Sequence, residues 1–192
     1  MGQYFRAFMC EENGANPRVY TPYDHHNSYK LMEHAYYHNE FVGAACIQCY
    51  EKPLRIWWVG DYAEVGDIPE EKKKYSAVET AWRDDAPVKV CNQSFDFDVK
   101  RYLVNLDTHE YINLRQVYEQ NQNDPWSPIH PLPLLTAVGN GRGGGDYHGD
   151  KVTNVHMVGA WAGDLLQITD EIPKDSLTVY VDVSSDAYFT EQ

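Results

Sequence analysis

Basic residues are scarce in this chain. Lysine and arginine number 16 against 29 aspartates and glutamates, giving a formal net charge of −13. A surface so rich in carboxylates repels phosphate backbones, which disfavours non-specific binding of DNA or RNA. A basic partner, a metal or a small polar ligand stays open. Long apolar runs are also missing. No stretch of 18 apolar residues occurs, so no membrane span is expected. Cysteine is limited to Cys10, Cys46, Cys49 and Cys91. The opening Met1-Gly2-Gln3-Tyr4-Phe5-Arg6 lacks a charged segment followed by an apolar one, and so does not read as a signal peptide. Arg6 stands where myristoylation of Gly2 asks for Ser or Thr. With no export signal, the four cysteines read as reduced thiols and the expected compartment is the cytoplasm.

The familiar catalytic signatures are absent too. There is no Gly-x-Ser-x-Gly elbow and no Gly-x-x-x-x-Gly-Lys-Ser/Thr phosphate loop. No cofactor and no metal is expected on this reading.

What is present suffices for a core. Hydrophobic residues make up 43 % and aromatics 14 % of 192 residues, enough for a single domain spanning 1–192. The stretches Tyr4 to Cys10 and Arg18 to Thr21 predict a first hairpin, because Asn13-Gly14 and Pro17 between them carry turn chemistry. From Ser28 to about Tyr50, Leu31, Ala35, Tyr36, Val42, Ala45, Cys46 and Cys49 recur at spacings of three and four. That pattern predicts one amphipathic helix, ended by Pro53. Leu54 to Val59 is β-branched and aromatic, the composition of a buried strand. Residues 64–87 form a charged excursion, either mobile or carrying a surface helix from Glu70 to Trp82. Lys100 to Leu106 and Glu110 to Leu114 predict a second hairpin, with a short helical turn over 115–121. Residues 123–133 are too rich in proline for regular structure. Val155 to Trp161, Leu165 to Thr169 and Leu177 to Val183 read as extended. The fold class is α+β: a mostly antiparallel sheet built from hairpins, packed against one long amphipathic helix.

Five blocks stand out: Met1-Gly2-Gln3-Tyr4-Phe5, Lys30-Leu31-Met32-Glu33-His34, Trp58-Val59-Gly60-Asp61-Tyr62-Ala63, the glycine-rich loop 139–150, and Val158-Gly159-Ala160-Trp161-Ala162-Gly163-Asp164. On these blocks the chain resembles a group of uncharacterised bacterial proteins, some phage-associated, that begin MGQYF or MGQYY. The blocks span nearly the whole chain. The resemblance implies an intracellular bacterial setting and brings no activity with it. Trp58-Val59-Gly60-Asp61-Tyr62 is also echoed by Trp161-Ala162-Gly163-Asp164-Leu165, a hint of internal duplication.

Half of the twelve positions 139–150 are glycine. Such a loop either needs backbone conformations that favour glycine or is mobile. Gly139, Gly141 and Gly144 fit Gly-x-Gly-x-x-Gly, but no clear strand precedes them, and Asp146 and Asp150 repel a phosphate. The commoner role is an exposed, turn-forming loop. A second is contact with another ligand through Arg142, Asp146 and His148. Asp146, His148 and Asp150 alternate, as a divalent-ion face requires, although alternating polar residues usually just face water. His34 and His38 have the i,i+4 spacing of a zinc pair, but the general-base Glu of His-Glu-x-x-His is misplaced. Cys46-Ile47-Gln48-Cys49 has redox spacing at the wrong end of a helix, where the dipole opposes a thiolate. The two Gly-Asp turns serve structure first, and Asp61 and Asp164 become a carboxylate pair only if the copies meet.

Two functions follow. The favoured one is a non-catalytic binding or adaptor protein, in a phage-related setting, with a small ligand or a protein as partner. The alternative is a small hydrolase or transferase, working between the glycine-rich loop and the Trp-x-Gly-Asp turns through Asp61, Arg142, Asp146, His148 and Asp164. Oligomeric state is left open.

Overall fold

The computed structural model describes residues 2–122, 128–148 and 157–179. Strand β1 (Phe5–Cys10) turns back into β2 (Arg18–Tyr20) as the Asn-Gly turn requires. Gly14 takes φ +85°, and the Asn13 side chain accepts from the Ala15 N–H at 2.9 Å. Next come α1 (Leu31–His34), α2 (Glu40–Glu51) and β3 (Leu54–Gly60). Two 3-10 turns, Val65–Asp67 and Glu70–Tyr75, precede α3 (Ala77–Ala81). The second hairpin is β4 (Tyr102–Asn105) with β5 (Glu110–Asn113), continued by α4 (Leu114–Gln120). Then follow α5 (Pro131–Thr136), β6 (Ala137–Val138), β7 (Leu165–Thr169) and β8 (Leu177–Thr178).

Among the described residues the strands form one sheet in the order β2-β1-β3-β7-β4-β5-β8, with β6 added parallel to β3. All other pairs except β5–β8 are antiparallel. The α+β, mostly antiparallel class therefore holds. The order reads alike from either side of the β3–β7 junction: β1-β2 and β3 on one side, β4-β5 and β7 on the other. The five-residue echo does not follow this pseudo-symmetry. Its first copy ends β3 at Gly60, and its second precedes β7.

Both faces of the sheet are covered, and strand alternation divides the core in two. Phe5, Ala7 and Met9 of β1 and Leu54, Ile56 and Trp58 of β3 point to the side of α2 and α5. Phe8, Cys10, Trp57 and Val59 point to the opposite side, where Ile68, Ala77 and Ala81 from the 64–87 segment cover them. Burial on both faces explains why β3 reads as a continuous apolar run rather than an alternating one.

Four expectations need correction. The predicted helix from Ser28 to Tyr50 is two helices. His38 adopts φ +63°, and the Asn39 side chain caps α2 by accepting from the Phe41 and Val42 N–H groups at 2.9 and 3.3 Å. Tyr36 instead forms a bridge to Ile129. The buried positions of α2 run from Phe41 to Ile47 with hardly a break, so it is a buried helix rather than an amphipathic one. Pro131 does not prevent a helix. It stands in the first turn of α5, where its missing N–H costs nothing, and His130 caps the end by accepting from Leu132 N–H at 3.1 Å. Residues 157–164 are turns rather than a strand, because Gly159 and Gly163 take positive φ. The helix expected over Glu70 to Trp82 is a 3-10 turn followed by the short α3. Leu177 to Val183 is seen as strand only over β8, and 180–183 lie outside the described residues, as do 123–127 and 155–156.

Candidate functional site

β6 delivers Gly139 to the end of β3, and the glycine-rich loop closes there onto the start of β1. Asp146 is fully buried. Its Oδ2 accepts from the Gly141, Arg142 and Gly143 N–H groups at 2.9, 3.1 and 3.0 Å and from Gln3 Nε2 at 2.7 Å. Burial pushes the carboxyl up from its ordinary value, and these four donors pull it back. Gln3 Nε2 also donates to the Gly139 carbonyl at 2.9 Å, and its Oε1 accepts from Tyr62 N–H at 3.2 Å. Glycine is needed at 143, where a Cβ would lie 2.3 Å from the Gln3 nitrogen, and at 139, which takes φ +81° against Ala63. The loop is thus a nest of backbone N–H groups filled by its own aspartate. Its tip, Gly141 and Arg142, is exposed as expected, but Gly145, Asp146 and Tyr147 are buried.

Asp61 and Arg142 join the same knot. Asp61 Oδ1 accepts from Tyr4 N–H at 2.9 Å. Arg142 donates to the Tyr62 carbonyl at 2.6 Å and to Asp67 at 2.5 Å. His148 is half-buried at the loop's end, and Asp150 lies outside the described residues. Asp164 lies elsewhere. It precedes Leu165, which pairs with Arg55, so it and Asp61 sit at opposite ends of β3, a strand roughly 20 Å long. Lys72 Nζ donates to Asp164 Oδ1 at 2.5 Å and Asn105 Nδ2 to its Oδ2 at 2.8 Å, which pins the 64–87 segment across the sheet.

The other motifs are separated by the fold. His34 is fully buried. Its Nδ1 meets the Ser28 carbonyl at 3.0 Å and its Nε2 accepts from Trp58 Nε1 at 2.9 Å. His38 is exposed, beyond the break between α1 and α2. Among the described residues no group of three His, Cys, Asp or Glu is placed to hold a metal ion. Cys46 and Cys49 are buried free thiols, both pushed up by burial. Cys46 Sγ lies 3.8 Å from His130 Nε2 in the interior.

A further arrangement of chemical groups lies away from every motif above except His38. A cleft of about 360 Å³ runs between the turn Tyr23–His25, the start of α2 and an extended strap over 91–97. Asp24, His25, His26, His38 and Glu40 line it. Asn39 Nδ2 donates to Asn27 Oδ1 at 2.6 Å, tying two walls together. The strap packs on α2 at Gly43, where a Cβ would lie 3.4 Å from Phe95. His26 and His38 both take positive φ, 57° and 63°, a conformation that non-glycine residues hold only when their surroundings enforce it. His25 is only 4 % exposed, stacks 6.0 Å from Phe41, and leaves its Nε2 buried with no hydrogen-bond partner. Burial pushes its pKa down, against the pull of Asp24 and Glu40. The signal available in advance was the density of Asp24-His25-His26-Asn27 on one loop. That His38, Glu40 and Cys91 join it depends on the helix break and on the strap.

No family model, curated protein or solved structure matches the chain. No helix among the described residues is long and apolar enough to cross a membrane.

Proposed function

We propose that the chain is a non-catalytic binding or adaptor protein that takes a small ligand in the cleft between the turn Tyr23–His25 and the start of α2. The observation that carries this is the cleft itself, about 360 Å³ lined by Asp24, His26, His38 and Glu40, with His26 and His38 both held at positive φ. The cleft has the volume of a small-molecule site. A bacterial, phage-related setting belongs to the proposal through the sequence blocks alone. The hydrolase or transferase reading loses support because Asp61, Arg142 and Asp164 are engaged in holding loops together, and Asp146 is closed off in the interior with its Oδ2 holding the loop and its Oδ1 unpartnered.

The test is a small-molecule library screened by thermal shift against the wild type and the double variant Asp24→Asn, Glu40→Gln. Both amides match the replaced side chains in size, so the variant should fold. Ligands that raise Tm only in the wild type, and are recovered unchanged, are the expected result. Chemical conversion of a bound compound, or hits indifferent to the double substitution, would overturn the reading.

A further inference from the structure

A second cleft, of about 710 Å³, shares Cys91, Asn92 and Gln93 with the first but carries the opposite charge. Arg18 and Lys89 line it, and no aspartate or glutamate does. That segregation occurs in a chain where acids outnumber bases 29 to 16. Strand register shows that the two cations share a face. At the sheet edge, β2 is flanked by residues 87–89. Val19 N–H donates to the Pro87 carbonyl at 3.0 Å, and Lys89 N–H donates to the Val19 carbonyl at 2.8 Å, in a parallel bridge of Val19 with Val88. Val19 points to the α3 side of the sheet and Tyr20 to the α2 side. Alternation then puts Arg18 on the face of Tyr20, with Pro87 and Lys89 beside them. The cleft accordingly takes in Arg18, Tyr20, Pro87 and Lys89 but neither Val19 nor Val88.

Neither cation is neutralised. Among the described residues no carboxylate forms an ion pair with Arg18 or Lys89. Glu11 feels the charge of Arg18 but is itself held by Lys52 Nζ at 2.5 Å and Asn16 Nδ2 at 2.9 Å. Arg18 Nη1 donates to Gln48 Oε1 at 2.6 Å, so α2 steadies the guanidinium from the floor of the cleft. Burial pushes the Tyr20 hydroxyl up, and its hydrogen bond with Arg18 pulls it back. A guanidinium has more N–H groups than these two contacts use, which leaves donors for a ligand.

We infer that this cleft binds a small oxyanion, a compound with a phosphate or carboxylate head. The planar fork of Arg18 matches either head, and Lys89 adds a point charge. Two unpaired cations on one face make a local positive field that the acidic remainder of the surface lacks. The volume is that of a small-molecule site. The inference does not depend on what the Asp24 and Glu40 cleft binds.

The experiment follows the backbone amide signals of Gln48, Lys89 and Cys91 by NMR at constant ionic strength while inorganic phosphate, succinate or putrescine is added. Phosphate or succinate should move these signals saturably at millimolar concentrations, and the tighter of the two assigns the head group. Lys89→Gln should weaken that binding about threefold, the effect of removing one exposed opposite charge. Arg18→Gln should weaken it at least about tenfold, as loss of a charge-assisted hydrogen bond does. Lys89 is exposed, so its variant keeps the fold whatever Arg18→Gln does. Silence toward both anions, saturation by putrescine in their place, or unchanged affinity in Lys89→Gln overturns the inference.

Discussion

Trp58 Nε1 donates to His34 Nε2 at 2.9 Å, joining the central strand β3 to the short helix α1 inside the core. The Ser28 carbonyl takes the other ring nitrogen, so His34 must be the neutral tautomer with its proton on Nδ1. Protonating Nε2 would break the tryptophan bond and bury a charge. Burial accordingly pushes its pKa down to about 3.

His130 behaves alike and is also pushed down to about 3 by burial. Both values lie below the 6.5 of an exposed histidine. The unfolded chain therefore binds these protons first. The stability that depends on them is complete above about pH 6.5 and falls as pH drops toward 3. The limiting slope is about 1.4 kcal/mol per pH unit for each histidine. Urea titrations between pH 7 and 4 should show this loss, and His130→Asn should make the slope shallower. A flat profile would contradict the neutral, buried assignment.

Asp146→Ala should cost about 3 kcal/mol or more, because three backbone N–H groups and the Gln3 amide lose their acceptor together. The same variant should turn the Arg142–Gly143 bond from slow to rapid trypsin cleavage. Rapid cleavage in the wild type would mean that the nest does not hold the loop.

Val42 is fully buried on α2. Val42→Asp places an unpaired carboxylate in the core and should destabilise by at least about 3 kcal/mol. Chemical denaturation is the check, and a wild-type midpoint would place this face of α2 in water.

All four cysteines are free, and Cys91 alone is partly exposed. Burial pushes the Cys10 thiol up to about 11 and those of Cys46 and Cys49 upward as well. A thiol reagent at pH 8 should modify one group quickly and the other three only after denaturation. Three fast thiols, or fewer than four in the denatured, unreduced chain, would refute this.

The hairpins were legible in the sequence because their information is local. Asn13-Gly14 and the β-branched runs act within a few residues. The break at His38 was not, since Leu31, Ala35, Val42 and Ala45 keep helical spacing straight through it. Only the Asn39 cap and the Tyr36–Ile129 bridge distinguish two helices from one. The short helix at Pro131 was hidden because proline's penalty vanishes in a first turn. Asp61, Arg142 and Asp146 were singled out by motif and do come together. Asp164, chosen by the same echo, does not, because the two copies lie at opposite ends of one strand. The His25 cleft draws on three distant segments, a convergence that sequence spacing does not encode.

The contacts of Gln3 set a timetable for synthesis. Its partners Gly139 and Asp146 lie 136 and 143 positions further along the chain. At about 5–20 residues per second a ribosome needs roughly 7–30 s to make that stretch. Until then the start of β1 lacks its loop and the facing end of β3 lacks β6, although β1 and β3 themselves are already made. For that interval the nascent chain carries β1 and β3 without the elements that close their shared end. That interval is when a chaperone has most to offer this protein.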